Sequence, residues 1–236
     1  MQAVIPAAGE GTRLGELADE RPKGLVEVAG RPLLSYAFDT VQSIGATHLL
    51  VVIGHHGEAI IEHFGDSFEG LPITYVHQRE RRGLAHAVCL TASYIDGPFM
   101  IHNGDNIIQT ELQQVIDRGQ EETVDGVMLV DSVSEEAASS TGVISLRADG
   151  TIAGMVEKPE HPPSKLVSTG FFVLPLAIFH ACALVQPGPT GERELSTAID
   201  LLARAGYHLE PMEIDEGWRL NVNTPADIER AESLLD

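Results

Sequence analysis

Residues 2–14 read QAVIPAAGEGTRL, and this stretch decides how the rest of the chain is interpreted. The apolar run 2–6 predicts a short buried strand, and the small residues 7–11 (AAGEG) predict a loop directly after it. Small residues let main-chain amides approach a phosphate closely, but the same composition also suits a tight turn. The loop is not a P-loop, since no Gly-Lys-Ser/Thr follows, and Leu14 replaces the third glycine of a dinucleotide fingerprint.

Strand-like and helix-like segments alternate downstream of this loop. Apolar runs predict strands at 48–53, 73–77, 99–102 and 126–133. Apolar side chains spaced three and four residues apart predict helices at 33–44, 58–64, 84–94 and 111–118. This alternation favours parallel strands with right-handed crossovers. We therefore expect a doubly wound α/β fold with a mostly parallel, Rossmann-like sheet that binds ligands at the carboxyl ends of its strands.

The second half of the chain is richer in strand patterns. Segments 142–146, 152–156 and 167–174 predict strands of a smaller sheet, whereas 194–205 and 225–235 predict helices. Thr224 is the expected N-cap of the last helix. Because no long polar linker interrupts the chain, we expect a single domain over residues 1–236. It comprises a first half at about 1–135, a β-rich insertion at about 140–222 and a C-terminal helix at 224–236.

The charge balance excludes some classes of partner. The 236 residues include 15 Lys and Arg and 35 Asp and Glu, which gives a net charge of −20. Nucleic acids and anionic membranes are bound by broad positive surfaces, so neither is an expected partner. Only three of the positive residues are lysines. Many carboxylates with few lysines suggest a high-salt cytoplasm, although an acidic surface also simply favours solubility.

The two cysteines, Cys89 and Cys182, are too far apart in sequence to suggest a disulfide framework. We interpret both as inert thiols in apolar helical segments. Neither a signal peptide nor an apolar run long enough to span a membrane is recognisable. The expected location is therefore the cytoplasm.

Positive side chains cluster shortly after the glycine loop. Arg13 and Lys23 lie within about ten residues of it and could clamp a polyphosphate. Residues 9–34, GEGTRLGELADERPKGLVEVAGRPLL, closely resemble the GxGTRLxPLTxxxPKxLxPV signature of the sugar-1-phosphate nucleotidylyltransferases, followed by that family's Pro-Leu helix. The resemblance extends over essentially the whole chain. It implies nucleotide binding by the first half and sugar binding by the β-rich insertion.

The resemblance implies roles for individual residues of the first half. Arg13 and Lys23 would be catalytic and would neutralise the departing pyrophosphate. Segment 78–87 (QRERRGLAHA) resembles the base-recognition segment, although its family proline is replaced by residues 79–82. The side-chain amide of Gln78 offers a donor and an acceptor that suit uracil or thymine. The expected nucleotide-binding residues are Ala7, Ala8, Gly9, Gly11, Thr12, Gln78, Gly83 and Leu84.

Further matches concern the sugar and a metal. Asp105, in Asn103-Gly104-Asp105, resembles the family's magnesium ligand, and Asn221 occupies the position of the second ligand, where many members have Asp. Mg²⁺ prefers oxygen ligands and keeps several waters, so two protein ligands suffice. The resemblance also implies a set of residues that bind the sugar phosphate: Gly142, Glu157, Lys158, Thr169 and Gly170.

The function that the resemblance implies is nucleotidyl transfer to a sugar-1-phosphate. The expected donor is UTP or dTTP and the favoured acceptor is glucose-1-phosphate, with a nucleotide-sugar and pyrophosphate as products. Because a sugar phosphate is already nucleophilic, no general base is needed. Alternatives are an N-acetylglucosamine-1-phosphate or other phosphate acceptor, a cytidylyl donor, or a regulatory subunit without activity. A homo-oligomer is compatible with the sequence, which does not select an oligomeric state.

Overall fold

The computed structural model describes residues 1–9, 11–15, 21–188 and 190–235. Ten strands form one mixed sheet with the order β11-β10-β12-β7-β1-β4-β6-β5, and β9 joins it beside β12 and carries β13. The strands nearest the glycine loop, β7-β1-β4-β6, are mutually parallel. The expected doubly wound α/β architecture is confirmed.

The strands have the following bounds: β1 Gln2–Pro6, β2 Glu27–Val28, β3 Arg31–Pro32, β4 His48–Ile53, β5 Ser67–Phe68, β6 Leu71–His77, β7 Phe99–His102, β8 Asn106–Gln109, β9 Gly126–Ser132, β10 Gly142–Leu146, β11 Ile152–Glu157, β12 Leu166–Leu174, β13 Leu209–Glu213 and β14 Trp218–Asn221. The α-helices described are α1 Leu33–Ser43, α2 Gly57–Phe64, α3 Leu84–Cys89, α4 Gln113–Gly119, α5 Glu135–Ala138, α6 Ala177–Leu184, α7 Leu195–Arg204 and α8 Pro225–Leu235. No described helix is long and apolar enough to cross a membrane.

The sequence pattern suggested a separate smaller sheet for the strands of the second half. The structure shows that they form no such separate sheet. β12 pairs antiparallel with β7 along Phe171–Leu174, so β10, β11 and β12 extend the central sheet. β12 is buried over eight of its nine residues, which is expected for a strand covered on both faces. The two halves of the chain are therefore connected by continuous strand pairing.

The expected long helix at 84–94 is interrupted. α3 ends at Cys89, and a single 3₁₀ turn follows at Ala92–Tyr94. The hydroxyl of Thr91 donates a 2.7 Å hydrogen bond to the Val88 carbonyl, and the Thr91 amide also bonds that carbonyl. This local side-chain bond competes with the helical pattern. At α8 the Thr224 cap is confirmed, since its hydroxyl accepts from the Asp227 amide at 3.3 Å.

The core is split by the sheet. Val4 and Ile101 belong to a cluster that includes helices α6 and α7, whereas Ala3, Ile5 and Met100 belong to a second cluster with helix α1. Successive strand residues point to opposite faces, so β1 and β7 contribute to both clusters. A third, smaller cluster connects α8 to the loop that carries Lys23, through residues such as Val28, Leu33 and Ile228. Helices on both faces thus fix the strand ends that form the site.

Candidate active site

Two adjoining cavities open at the carboxyl ends of the parallel strands. The first cavity, of about 370 Å³, is lined by the glycine loop, Lys23, Gln78 and Asp105. The second cavity, of about 200 Å³, is lined by residues of β11, β12 and the start of α7, including Glu157 and Thr169. Both cavities share part of their lining, namely Arg13, Leu84, Asn103, Lys158 and Asn223. One extended ligand could therefore occupy both.

The predicted phosphate loop forms one wall of the first cavity. The Ala7 amide bonds the Val52 carbonyl at 2.8 Å, which ties the start of the loop to β4. Gly11 adopts φ +68° and opens a 3₁₀ turn over Thr12–Leu14. A left-handed residue at this point favours glycine. All five predicted loop residues line the cavity, namely Ala7, Ala8, Gly9, Gly11 and Thr12.

Lys23, which also lines the first cavity, is the centre of a polar network. Its ammonium group lies 2.7 Å from Asp105 Oδ2 and 2.9 Å from Asn223 Oδ1. Arg13 donates to the same Asn223 oxygen at 3.0 Å. The structure therefore brings together three residues that the sequence predicted separately, and Asn223 connects them. Two of the three ammonium hydrogens are used, so one remains for a ligand.

The surroundings of Lys23 hold its side chain in place. Lys23 begins a 3₁₀ turn after Pro22, and only 7% of the residue is exposed. Asp105 lies in the turn between β7 and β8, where its carbonyl accepts from the Val222 amide at 2.9 Å. A buried cation requires a partner, and here Asp105 supplies it. The cation is thus pre-positioned at the cavity wall.

Gln78 lies at the far end of the first cavity and is 5% exposed. Its side-chain Nε2 bonds the Gly83 carbonyl at 3.1 Å and contacts His86 Nδ1 at 3.0 Å. The sequence suggested that this amide offers both a donor and an acceptor. In the structure both amide hydrogens have partners, so the group left for a ligand is the acceptor Oε1. Gly83 and Leu84 line the same cavity.

The predicted sugar-binding residues converge on the second cavity, as Gly142, Glu157, Lys158, Thr169 and Gly170 all line it. The Thr169 hydroxyl donates to the Leu129 carbonyl at 2.9 Å, so it holds β12 against β9. Gly170 has φ +83°, and a Cβ there would lie 2.7 Å from the Asn103 side chain. Thr169 and Gly170 thus shape the wall between the cavities.

Lys158 differs from Lys23 in exposure. Its side chain is 63% exposed, and its ammonium lies 3.5 Å from Glu157 Oε1. The residue has φ +42°, and its amide bonds the Thr141 carbonyl at 3.0 Å. A left-handed backbone at a lysine is uncommon and turns the side chain out of the strand direction. Lys158 lines both cavities and supplies a cation at their junction.

Sequence reasoning missed several polar residues of the second cavity. Glu194, Ser196 and Arg219 line it, although no motif singled them out. Burial raises the pKa of Glu194, and the neighbouring charges of Glu157 and Glu192 raise it further. The positive charge of Lys158 has the opposite effect and lowers this pKa. The only signal in the sequence was the position of Glu194 at the start of the predicted helix 194–205.

Some polar atoms near the second cavity have no hydrogen-bond partner among the described residues. They include Asn103 Oδ1, Asn106 Oδ1 and Ser196 Oγ. Buried polar groups are rarely left unpaired, so an unpaired group at a cavity indicates a polar ligand or water. The second cavity therefore suits a ligand with several hydroxyl groups.

The two predicted metal ligands line different cavities. Asp105 lines the first and Asn221 the second, while Asn106, the residue after Asp105, pairs with Asn221 between β8 and β14. No group of three or more His, Cys, Asp or Glu side chains that could hold a metal ion occurs in the described part of the chain. One carboxylate with neutral amide oxygens fits Mg²⁺, which takes its other ligands from water and phosphate.

The chain matches known proteins over nearly its full length. The sequence profile of the family "Nucleotidyl transferase" matches residues 2–233. The UTP–glucose-1-phosphate uridylyltransferase AglF of Haloferax volcanii is 48% identical over 235 residues, which cover 100% of this chain and 96% of that protein. A glucose-1-phosphate thymidylyltransferase of Streptomyces antibioticus is 31% identical and is matched over 67% of its length, by 100% of this chain.

A crystal structure of a UDP-glucose pyrophosphorylase complexed with UDP-glucose has the same fold. It superposes with a TM-score of 0.88 at 24% identity, covering 98% of this chain and 97% of the other. Family profile, whole-length relatives and fold agree with the two-cavity site. The chain belongs to the nucleotidyl transferase family and is a nucleotidyltransferase.

Proposed function

We propose that the protein transfers the uridylyl group of UTP to glucose-1-phosphate, giving UDP-glucose and pyrophosphate. The observation that carries this proposal is the shared wall of the two cavities. A phosphate loop with buried Lys23 lies on one side, and a cavity with unpaired amide and hydroxyl groups lies on the other. Arg13 and Lys158 lie at the junction, where the phosphates of the two substrates would meet.

Each part of UTP has a matching group in the first cavity. Gln78 Oε1 would accept a hydrogen bond from N3–H of uracil. Residues 7–12 would lie along the triphosphate, because their small side chains leave the main chain accessible. The name of the 48% identical relative supports UTP as donor and glucose-1-phosphate as acceptor. The dTTP alternative is supported by the more distant thymidylyltransferases.

The chemistry needs positioning more than acid–base catalysis. A phosphate oxygen of the sugar-1-phosphate attacks the α-phosphorus in line, and the bond from that phosphorus to the oxygen of the β-phosphate breaks. Lys158 orients the attacking phosphate. Lys23 and Arg13 stabilise the charge that develops on the departing pyrophosphate, since cations pre-positioned in a partly dry site act strongly on such charge.

A divalent metal is general in this family, and Mg²⁺ is the ion that we propose here. Asp105 would hold it, with Asn221 as the neutral second ligand. When bound, Mg²⁺ would supply charge neutralisation between the two phosphates. In the structure Lys23 donates to Asp105 Oδ2 at 2.7 Å, which leaves Oδ1 as the ligand atom.

A substrate panel tests the proposal. The protein is incubated with UTP, dTTP or CTP and with glucose-1-phosphate or N-acetylglucosamine-1-phosphate, and the product is identified by mass. We expect UDP-glucose to form fastest, and Lys23→Ala to serve as the inactive control. Faster formation of another nucleotide-sugar would transfer the assignment to that pair. No pyrophosphate release from any pair would instead support a subunit without activity.

A further inference from the structure

Gln78 is oriented by Gly83, which lines the first cavity, and by His86, which is not among the lining residues of either cavity. Its amide nitrogen bonds the Gly83 carbonyl at 3.1 Å and lies 3.0 Å from His86 Nδ1. Its main-chain amide bonds the Ile53 carbonyl at 2.8 Å, so its backbone is fixed to β4. Which end of the amide faces the ligand therefore depends on Gly83 and His86.

The Gly83 carbonyl has a fixed direction. Gly83 adopts φ +91°, and a Cβ there would lie 2.5 Å from the Arg193 nitrogen. Residues on both sides of Gly83 are also bonded to Arg193. The Ala85 amide donates to the Arg193 carbonyl at 2.9 Å, and the Arg193 amide donates to the Arg82 carbonyl at 2.7 Å. A carbonyl only accepts, so it selects the nitrogen end of the Gln78 amide.

The second contact depends on the state of His86. The Gly83 carbonyl fixes the nitrogen end of the Gln78 amide, and that nitrogen lies 3.0 Å from His86 Nδ1, so Nδ1 has to accept. A neutral ring with its hydrogen on Nε2 leaves Nδ1 able to accept from Gln78. A protonated ring would carry hydrogen on both nitrogens and would repel the Gln78 nitrogen. The Gly83 carbonyl and a neutral His86 thus both bind the nitrogen end of the Gln78 amide. A charged His86 would oppose the orientation that the Gly83 carbonyl selects.

The charges around His86 favour the neutral ring. Burial lowers its pKa, and the guanidinium groups of Arg82 and Arg193 lower it further, while the carboxylate and main chain of Glu80 act in the opposite direction. These groups come from the segment before α3, which carries Arg82 and Glu80, and from the segment before α7, which carries Arg193. At neutral pH the ring therefore presents an acceptor to Gln78.

We propose that His86 is a positioning residue that holds the Gln78 amide with Oε1 toward the nucleobase, so that the site selects a base with an N–H over one with a bare ring nitrogen. This inference rests on the proposed function. Uracil presents N3–H, whereas cytosine presents an unprotonated N3 at the same position. An inverted Gln78 amide would favour cytosine, because it would offer a donor in place of an acceptor. His86 thus contributes to the choice between UTP and CTP without touching either.

A matched pair of variants tests the proposal. Asn and Leu have similar size and branching, but only Asn places an acceptor near the position of the His Nδ1. We expect His86→Leu to lower the ratio of kcat/KM for UTP to that for CTP about tenfold, equivalent to about 1.4 kcal/mol. The loss should appear mainly in the KM for UTP, with kcat changed less than about twofold. His86→Asn should retain the ratio within about threefold.

Acid pH should reproduce the effect in the unmodified protein. The UTP to CTP ratio should fall as His86 protonates, and it should stay flat in His86→Asn. Comparing two nucleotides cancels the titration of their phosphates. The control is His180→Leu, which changes an exposed histidine on α6. An unchanged ratio in His86→Leu, or an equal loss in His86→Asn, would overturn the inference.

A spectroscopic measurement separates this inference from the proposed function. Imidazole ¹⁵N chemical shifts of the nucleotide-free protein should show the hydrogen on Nε2 of His86 and an accepting Nδ1. A hydrogen on Nδ1 at neutral pH would overturn the contact, whatever the substrate. A protein that uses neither UTP nor CTP would overturn the proposed function and the base selection together, while the spectrum would still decide the contact.

Discussion

The two cavities differ in how their charged groups are held. In the first, Lys23 is 7% exposed and is fixed by Asp105 and Asn223. In the second, Lys158 is 63% exposed at the side chain and lies 3.5 Å from Glu157, and the nearby Glu194 has a raised pKa because of burial and neighbouring carboxylates. The cation Lys23 is thus buried and paired, whereas Lys158 is exposed beside a second cavity whose lining carries charges of both signs and, among the described residues, unpaired amide and hydroxyl groups. Under the proposed function, this difference assigns charge stabilisation to the first cavity and sugar positioning to the second.

The largest effect should come from Lys23. We expect Lys23→Ala to lower kcat by about 100- to 1,000-fold, as for other lost donors to a developing charge, with little change in the KM for the sugar phosphate. Lys165→Ala, at an exposed lysine, is the matched control and should leave both constants unchanged. Steady-state kinetics measure the constants. A Lys23→Ala enzyme with normal turnover would remove the distinction between the cavities.

A smaller effect is expected at Lys158. Lys158→Ala should raise the KM for the sugar-1-phosphate roughly tenfold, equivalent to one charge-assisted hydrogen bond. The kcat should change less than about threefold, because the side chain is exposed and acts on binding. Varying each substrate in turn measures the two KM values. An equal rise in the KM for UTP would contradict this assignment and show that Lys158 acts on both substrates.

His102, which precedes the cavity-lining residue Asn103, should make the free energy of unfolding depend on pH. It is fully buried at the end of β7, and burial lowers its pKa to about 4, although a hydrogen bond to the Asn103 carbonyl at 2.9 Å and the Asp105 charge oppose this. His102 binds a proton more readily in the unfolded chain than in the folded protein. Its contribution to the free energy of unfolding is therefore complete above about pH 6.5 and declines toward pH 4. Acidification from pH 7 to pH 5 should lower the free energy of unfolding by about 2 kcal/mol through His102 alone.

Urea denaturation at the two pH values measures this cost. His102→Gln retains a donor for the Asn103 carbonyl but does not titrate, so the variant should lose less stability on acidification than the unmodified protein does. An identical pH dependence in both proteins would mean that other groups carry the acid sensitivity.

The smallest expected effect concerns salt. The net charge of −20 includes the carboxylates Glu157 and Glu194, which line the second cavity, and Glu192, which lines the first. Screening by molar KCl should relieve the repulsion among these carboxylates and so raise the free energy of unfolding. Each kcal/mol of added stability should raise the Tm by about 2–4 °C. Thermal unfolding over a KCl series measures it. Glu194→Gln should show a smaller gain, and no stabilisation by KCl would contradict the high-salt hypothesis.

Much of the first cavity could be predicted from sequence because its residues are close together along the chain. Arg13, Lys23 and the glycine loop fall within one motif, and Asp105 follows a strongly apolar strand. The missed strands β8, β13 and β14 are only four or five residues long, which is too short for a periodic pattern to identify them. Pro211 argued against a strand, yet β13 pairs only with β9 and so tolerates it at a sheet edge.

The amino-acid sequence by itself determined the α/β class, the phosphate loop and the identity of the cations, because these depend on local spacing and side-chain chemistry. Only the tertiary structure decided that Asn223, 200 residues from Lys23, bridges it to Arg13, and that His86 contacts Gln78. It also decided that β12 joins the central sheet. Such contacts depend on packing between distant elements, which no local pattern records, since periodicity identifies a buried face but not the partner that covers it.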